Sequence, residues 1–406
     1  MSGPLAGVRI LDLTTVVMGP YATQILADFG ADVVKVEPPE GDIVRHNGPA
    51  RHAGMGHIFL NTNRNKRSIV LDLKKPAGLE AALALAKAAD VLIYNIRPQA
   101  MARLGLSYDA VRAVNPKILY IGAFGYSQEG PYAARAAYDD LIQARAGVPW
   151  LMQVSGADEP RYVPATYADR TVGLHLANAV SAALFARERT GKGQRVDVPM
   201  FESLVQTLMG EHLSGRTFVP PLPGEGYARV ISKERKPYRT KDGWVCVLVY
   251  NDKQWKRFFE LIGRPEVYEG DSRFSSQTAR IANIDAVYAY LGERMTERTT
   301  AEWLAGFEQF DIPAAPMNTL ADVFADPHLA AIGYFGQVEH PTEGRLTSLK
   351  TPSEWSGTPP EYRHHAPRLG EQTREILREA GYDDAAIDRM ISAGAASAAP
   401  NTGDPR

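Results

Sequence analysis

Asp169 stands at the opening of a helical pattern: Tyr167-Ala168-Asp169-Arg170-Thr171-Val172-Gly173 leads directly into the apolar run Leu174 to Phe185. A carboxylate at such a point ordinarily caps free backbone N–H groups or complements the helix dipole. It can also be a nucleophile. With an ordinary pKa of about 3.9 it is ionised at neutral pH and able to attack a carbonyl without a partner base. The residues alone leave both roles open.

A second group of candidates is basic. Asn63-Arg64-Asn65-Lys66-Arg67-Ser68 places three cations just before a predicted strand. Such a run is either a solvated charged face or an anion site for a phosphorylated ligand. Asn95-Ile96-Arg97-Pro98 lies at the carboxyl end of another predicted parallel strand, the edge where open α/β sheets bind ligands, and so favours the second reading. Lys74, Lys75 and Arg103 add positive charge nearby in sequence. Gly191-Lys192-Gly193-Gln194 reads as a hairpin-like reversal without chemistry. Tyr138-Asp139-Asp140 carries two adjacent carboxylates, but neighbours in regular structure project to different sides, which makes them a poor acid/base pair.

Other chemistries are excluded by what is missing. No GxGxxG follows the first strand, where the turn reads Thr14-Thr15-Val16-Val17-Met18-Gly19-Pro20, and no Walker loop precedes Gly191-Lys192-Gly193. The nine histidines show neither HxH nor HExxH spacing, so no metal site is expected. Cys246 is the single cysteine, which rules out an intrachain disulfide or a CxxC redox pair.

The elements that must position these residues follow from hydrophobic period. Val8–Leu13, Asp32–Val36, Ser68–Leu73, Val91–Tyr94 and Ile118–Ile121 read as strands, with helical patterns such as Tyr21–Phe29 and Leu79–Ala89 between them. Alternation of this kind predicts an α/β fold with a parallel sheet covered by helices on both faces. Past Phe218 a Pro/Gly-rich connection leads to a strongly apolar strand, Trp244–Tyr250, and helices around Trp255–Ile262 and Ile284–Met295. The expected layout is a large domain over 1–218, a smaller α+β domain over 227–312, a linker and return to the large domain over 313–395, and a flexible tail over 396–406. At 406 residues, 45% hydrophobic, the chain can bury two cores. Its 45 Lys plus Arg against 47 Asp plus Glu give a net charge of −2, with no whole-chain attraction to nucleic acid or anionic lipid. The opening MSGPLAGVRILDL lacks a basic stretch followed by an apolar one, and the apolar candidate Thr171–Ala186 is too short for a bilayer. The expectation is a soluble, cytoplasmic protein without a nucleic-acid or membrane partner.

Together these segments resemble the class III coenzyme A transferase family, also called CaiB/BaiF, and within it the formyl-CoA transferases. The resemblance is carried in order by Pro4–Leu13, Gly19-Pro20, Leu26–Glu37, Asn63–Ser68, Asn95–Pro98, Arg103–Leu106, Asn115-Pro116, Thr190–Gln194, Asp311–Pro316 and Asp326–Leu329. It implies a Rossmann-like large domain, a small domain, and a homodimer of two interlocked rings. It assigns the nucleophile to Asp169, in place of a cap, and contacts with coenzyme A or substrate to Val16, Val17, Leu71, Lys74, Asn95, Ile96, Arg103 and Tyr138. Coenzyme A is then a substrate, with no permanently bound cofactor. The implied activity moves CoA from an acyl-CoA to a small carboxylic acid through an aspartyl anhydride and an aspartyl-CoA thioester.

Within the family, Val17 stands where the formyl-CoA branch has glutamine, and no glycine-run loop occurs between Pro220 and Tyr250, which argues against the oxalate and formyl-CoA pair. Arg45, Arg64 and Arg229 are candidate partners for a second carboxylate, pointing to a dicarboxylic donor such as succinyl-CoA. Two alternatives remain. One is a 2-methylacyl-CoA racemase, whose His base would fall at Tyr138; a phenol with pKa near 10 is a poor substitute. The other is a non-catalytic CoA-binding protein in which Asp169 only caps.

Overall fold

The computed structural model describes residues 3–399. The N-terminal half alternates strand and helix. Arg9–Leu13 (β1) leads to Met18–Asp28 (α1), Asp32–Glu37 (β2), Lys66–Leu71 (β3), Pro76–Ala88 (α2) and Val91–Tyr94 (β4). Pro98–Arg103 (α3), Leu119–Phe124 (β5), Asp139–Arg145 (α4), Tyr167–Thr190 (α5) and Gln194–Pro199 (β6) follow. β4 and β5 are buried along their whole length, the continuous apolar run that a two-sided parallel sheet requires. α2 and α3 each begin with Pro, whose missing N–H costs nothing at a helix's first position.

Two compact units divide the chain: Met1–Gln143, Pro164–Val205 and Ala330–Arg406 in one, Ala144–Val163 and Gln206–Leu329 in the other. The second therefore exceeds the expected 227–312 on both sides and takes a segment from the N-terminal half. Its three-stranded antiparallel sheet pairs Tyr238–Arg239 (β7) with Trp244–Val247 (β8), and β8 with Ala314–Pro316 (β9). The core of this unit is aromatic, with Trp255, Phe258, Phe259, Phe274, Trp303 and Phe307 at most 1% exposed.

Later in the chain, Phe335–His340 (β10) and Gly344–Leu349 (β11) form a hairpin, and two further helices precede a short strand, Ala396–Ser397 (β12). The main sheet runs β12-β3-β2-β1-β4-β5-β6. Its first six strands in sequence are parallel, with Leu11 opposite both Val34 and Leu92. β12 is antiparallel, Ala396 pairing with Leu71 and Ser397 with Val70. That corrects the expected flexible tail in part: the backbone of 396–397 completes the edge of β3, and Ala396 is buried, while 400–406 lie outside the described residues. A strand of two small residues has no hydrophobic period by which to recognise it.

Candidate active site

The strand order 3-2-1-4-5-6 within this sheet puts a topological switch point between β1 and β4, where loops leave the carboxyl ends in opposite directions and open a crevice. A cavity of about 470 Å³ sits there. Thr15 and Val16 from the end of β1, Asn95 and Ile96 from the end of β4, Arg97 and Arg103 around α3, and Arg135, Tyr138, Asp139 and Asp169 all line it.

Asp169 lies in the first turn of α5, whose N-cap, Thr166, makes no side-chain capping bond. The capping is done by Asp139 instead. Its Oδ1 accepts from the Asp169 backbone N–H at 3.0 Å, and its Oδ2 accepts from Gln143 Nε2 at 2.6 Å. Among the described residues no group donates a hydrogen bond to the Asp169 carboxylate. Burial, then the Asp139 charge, push its pKa up to about 7, against the opposing pull of Arg170. The expectation of a fully ionised carboxylate at neutral pH is thus corrected: Asp169 titrates there, and its anion is more basic, hence more nucleophilic, than a free aspartate. Asp139, half of a poor pair when read beside Asp140, is the partner of Asp169 that the sequence does not reveal. Its partner is 30 positions away, and only the fold brings them together.

Of the other expected contacts, Val16, Asn95, Ile96, Arg103 and Tyr138 line the cavity, with Tyr138 67% exposed. Val17, Leu71 and Lys74 do not. Val17 is buried ahead of α1, Leu71 packs in the apolar core beneath the sheet, and Lys74 is exposed on the turn before α2.

The basic run, whose Lys66 and Arg67 open β3, is neither a solvated face nor a ligand site. Arg64 forks onto Asp28, Lys66 is fully buried against Asp12 at 3.2 Å, and Arg67 binds Asp32, Glu375 and Glu379. Arg45, offered for a second carboxylate, is likewise buried and bidentate to Glu37, at 2.7 Å through both Nε and a terminal nitrogen. Arg229 belongs to the smaller unit, stacked over Tyr250. The cations that do face the cavity are Arg97, Arg103 and Arg135. Gly191 closes α5 and leads into β6 parallel to β5, so the expected reversal is a helix-to-strand connection.

No helix among the described residues is long and apolar enough to cross a membrane, and no group of three or more potential metal ligands occurs among them.

The model of CoA-transferase family III matches residues 5–373. The chain belongs to that family. It is 33% identical over 397 residues to the human succinyl-CoA:glutarate CoA-transferase, covering 96% of this chain and 89% of the relative. With the succinate–glutarate CoA-transferase of Agrobacterium fabrum it shares 34% identity over 390 residues, covering 93% and 95% respectively. The crystal structure of a CaiB/BaiF family protein from Brucella suis superposes with a TM-score of 0.77 at 32% identity, covering 94% of this chain and 100% of that one. This protein is an acyl-CoA:carboxylate CoA-transferase, and the mixed α/β fold with its mostly parallel sheet agrees with the solved family structures.

Proposed function

We propose that this transferase exchanges CoA between dicarboxylic acids, with succinyl-CoA or a close homologue as donor and Asp169 as the nucleophile. One observation carries the assignment: Asp169 is the carboxylate in the switch-point cavity with no hydrogen-bond donor of its own among the described residues, while its neighbour Asp139 is held at both oxygens. An Asp169 oxygen attacks the thioester carbonyl; the C–S bond breaks, leaving CoA thiolate and a mixed anhydride. The thiolate attacks the Asp169 carbonyl carbon, and the donor acid departs as carboxylate. The acceptor carboxylate then attacks the aspartyl-CoA thioester and expels the thiolate, which takes the acyl group and frees Asp169. A thiolate held in place reacts far faster than one in solution, which suppresses hydrolysis.

In this reading Arg97 and Arg103, at the carboxyl end of β4 and on α3, meet CoA phosphates, and Asn95 and Ile96 meet its chain; their shared position on the cavity wall supports it. Tyr138 closes over the acyl group. The second carboxylate falls to Arg135. Its guanidinium stacks 4.4 Å over the Tyr132 ring, donates no hydrogen bond among the described residues, and lines the same cavity. Relatives whose names pair succinyl-CoA or succinate with glutarate support a dicarboxylic substrate. An interlocked homodimer belongs to the same reading, and a stable single-chain species in sedimentation at micromolar concentration would contradict it.

Incubation with succinyl-CoA followed by hydroxylamine should convert Asp169 to a hydroxamate detectable by peptide mass spectrometry. Asp169→Ala should abolish transfer while CoA binding persists. Labelling of another residue, or transfer above a few per cent in Asp169→Ala, would overturn the assignment.

A further inference from the structure

The loop between β1 and α1 is held in a conformation its residues do not favour. Val16 has φ 71°, the left-handed region, where a β-branched side chain is a genuine outlier. Strain of this kind persists only where the surroundings over-determine it, and it concentrates at functional sites. Here the surroundings are unusually complete. The Val16 N–H donates to Asp42 Oδ1 at 3.1 Å. Asp42 Oδ2 accepts from Lys35 Nζ at 2.9 Å, and the same ammonium donates to the Thr14 carbonyl at 2.8 Å. Thr15 is clamped on both sides by Asn95, which accepts from its N–H at 2.9 Å and donates to its carbonyl at 2.7 Å. Asp12 accepts from the Thr14 N–H at 2.9 Å. Asp12, Lys35 and Asp42 are all 0% exposed.

This loop lines the same cavity as Asp169. Gly19 touches the loop so closely that a Cβ there would fall 2.3 Å from the Thr14 side chain. Gly173, one helical turn after Asp169 and on the same face of α5, packs so closely that a Cβ would lie 3.0 Å from the Met18 carbonyl. The loop, the first turn of α1 and the second turn of α5 therefore pack in series, and Val16 and Asp169 wall the same cavity.

We infer that Asp42, braced by Lys35, is a positioning residue of the transferase: it holds Val16 in its left-handed conformation and so sets the wall against which a thioester must lie to meet Asp169. This rests on the reading of Asp169 as nucleophile. Burying an ion pair solely for stability is poorly rewarded, because desolvation takes back much of the attraction; a pair that fixes a strained loop has another use.

The test is a double-mutant cycle in the full-length protein. Glycine adopts positive φ freely, so Val16→Gly should remove the need for the brace. Asp42→Ala is expected to lower kcat for transfer from succinyl-CoA to glutarate by roughly 30-fold or more in the wild-type background and by less than about 5-fold in Val16→Gly. Asp42→Asn, which keeps an acceptor for Val16 while removing the charge facing Lys35, should fall between. It serves as the second arm if the alanine variant does not fold. Equal losses in both backgrounds, or loss of melting temperature with kcat unchanged, would overturn the inference. Asp169→Ala run alongside separates the two claims: residual transfer there refutes the nucleophile, while additivity in the cycle refutes the brace. If succinyl-CoA and glutarate prove inert with wild-type protein, the substrate reading falls and the cycle is read on the acid pair that a screen of donors identifies.

Discussion

The backbone N–H of Asp169 donates to the Asp139 carboxylate at 3.0 Å, so the residue that caps α5 is also the charge that faces the proposed nucleophile. One contact thus fixes where Asp169 begins its helix and raises the proton affinity of its side chain, two effects that pull in different directions. The bond orders the first turn, and the like charge makes ionisation of Asp169 harder.

Replacing Asp139 by Asn separates them. The amide oxygen can still accept from the Asp169 N–H, and Gln143 can turn its own amide to match. The negative charge is gone. As the proposed nucleophile Asp169 would attack as the anion, so activity should fall as pH drops through about 7 in the wild-type protein. In Asp139→Asn that acid limb should move to lower pH by roughly one pH unit, since a like charge has been removed. Profiles of kcat/KM against pH would show it, and an unmoved limb would mean that burial alone sets the proton affinity.

Stability should respond in the opposite sense to activity. A carboxyl whose folded pKa lies above its unfolded one favours folding while protonated and opposes it once ionised, so this contribution is lost as pH rises from about 4 through about 7. A tenfold difference in proton affinity between folded and unfolded chain corresponds to about 1.4 kcal/mol. The rise from 3.8 to about 7 sets an upper bound that solvent in the open cavity reduces. Asp169→Asn should therefore be inactive yet more stable than wild type at pH 8, by ~1–3 kcal/mol. The gain should shrink towards pH 5, and denaturant melts at the two pH values decide the sign.

Gly173 makes the packing between α1 and α5 testable. Alanine in a helix interior ordinarily gains up to about 1 kcal/mol over glycine. Here the added carbon would sit 3.0 Å from the Met18 carbonyl and 2.9 Å from the Tyr21 ring. A backbone oxygen cannot swing aside, and overpacking of this kind costs about 1–3 kcal/mol. Gly173→Ala is expected to destabilise by ~1–2 kcal/mol on balance, with kcat reduced because Asp169 shifts one turn away. A stabilised variant would show that the helices can part.

How much of this is legible in the sequence depends on how local each signal is. The strands β1 to β5 and their helices can be read because burial on both faces writes continuous apolar runs, and the carboxyl ends of β1 and β4 stand out as ligand-bearing loops. Lys66 and Arg67 mislead because their carboxylates come from β1 and β2, and no spacing in the chain announces a pair made across a sheet. Asp139 stays hidden for the same reason: beside Asp140 it points nowhere, and its use emerges only when α5 returns to it. Val16 gives no signal at all, since a strained backbone angle is invisible in a residue's name.

Arg135 should sort acids by their second charge. A hydrogen bond to a charged group contributes about 1.5–3 kcal/mol, so its loss is worth ~10–100-fold in affinity. Arg135→Met is expected to raise KM for glutarate by that factor while leaving KM for a monocarboxylic acid of the same length within about 3-fold of wild type. Equal losses for both acids would reassign Arg135 to coenzyme A, and no loss for either would leave the second carboxylate to Arg97 or Arg103.

The remaining question of chemistry is whether a proton ever leaves the α-carbon. A racemase needs two groups flanking that carbon, one taking and one giving a proton. The cavity offers Asp169 with a pKa of about 7, but the residue at the position of the racemase base is Tyr138, a phenol, and Asp139 has both oxygens occupied by Asp169 N–H and Gln143. Carboxylate exchange needs no such proton transfer. Incubation with a 2-methylacyl-CoA in D2O is therefore expected to give no α-deuterium above the level without enzyme, while the same preparation transfers CoA to an added dicarboxylic acid. Tyr138→Phe should change the transfer rate only modestly, since the ring proposed to cover the acyl group remains. Rapid deuterium uptake without any acceptor acid, lost in Asp169→Ala, would make proton abstraction the chemistry of this cavity and reverse the order of the two readings.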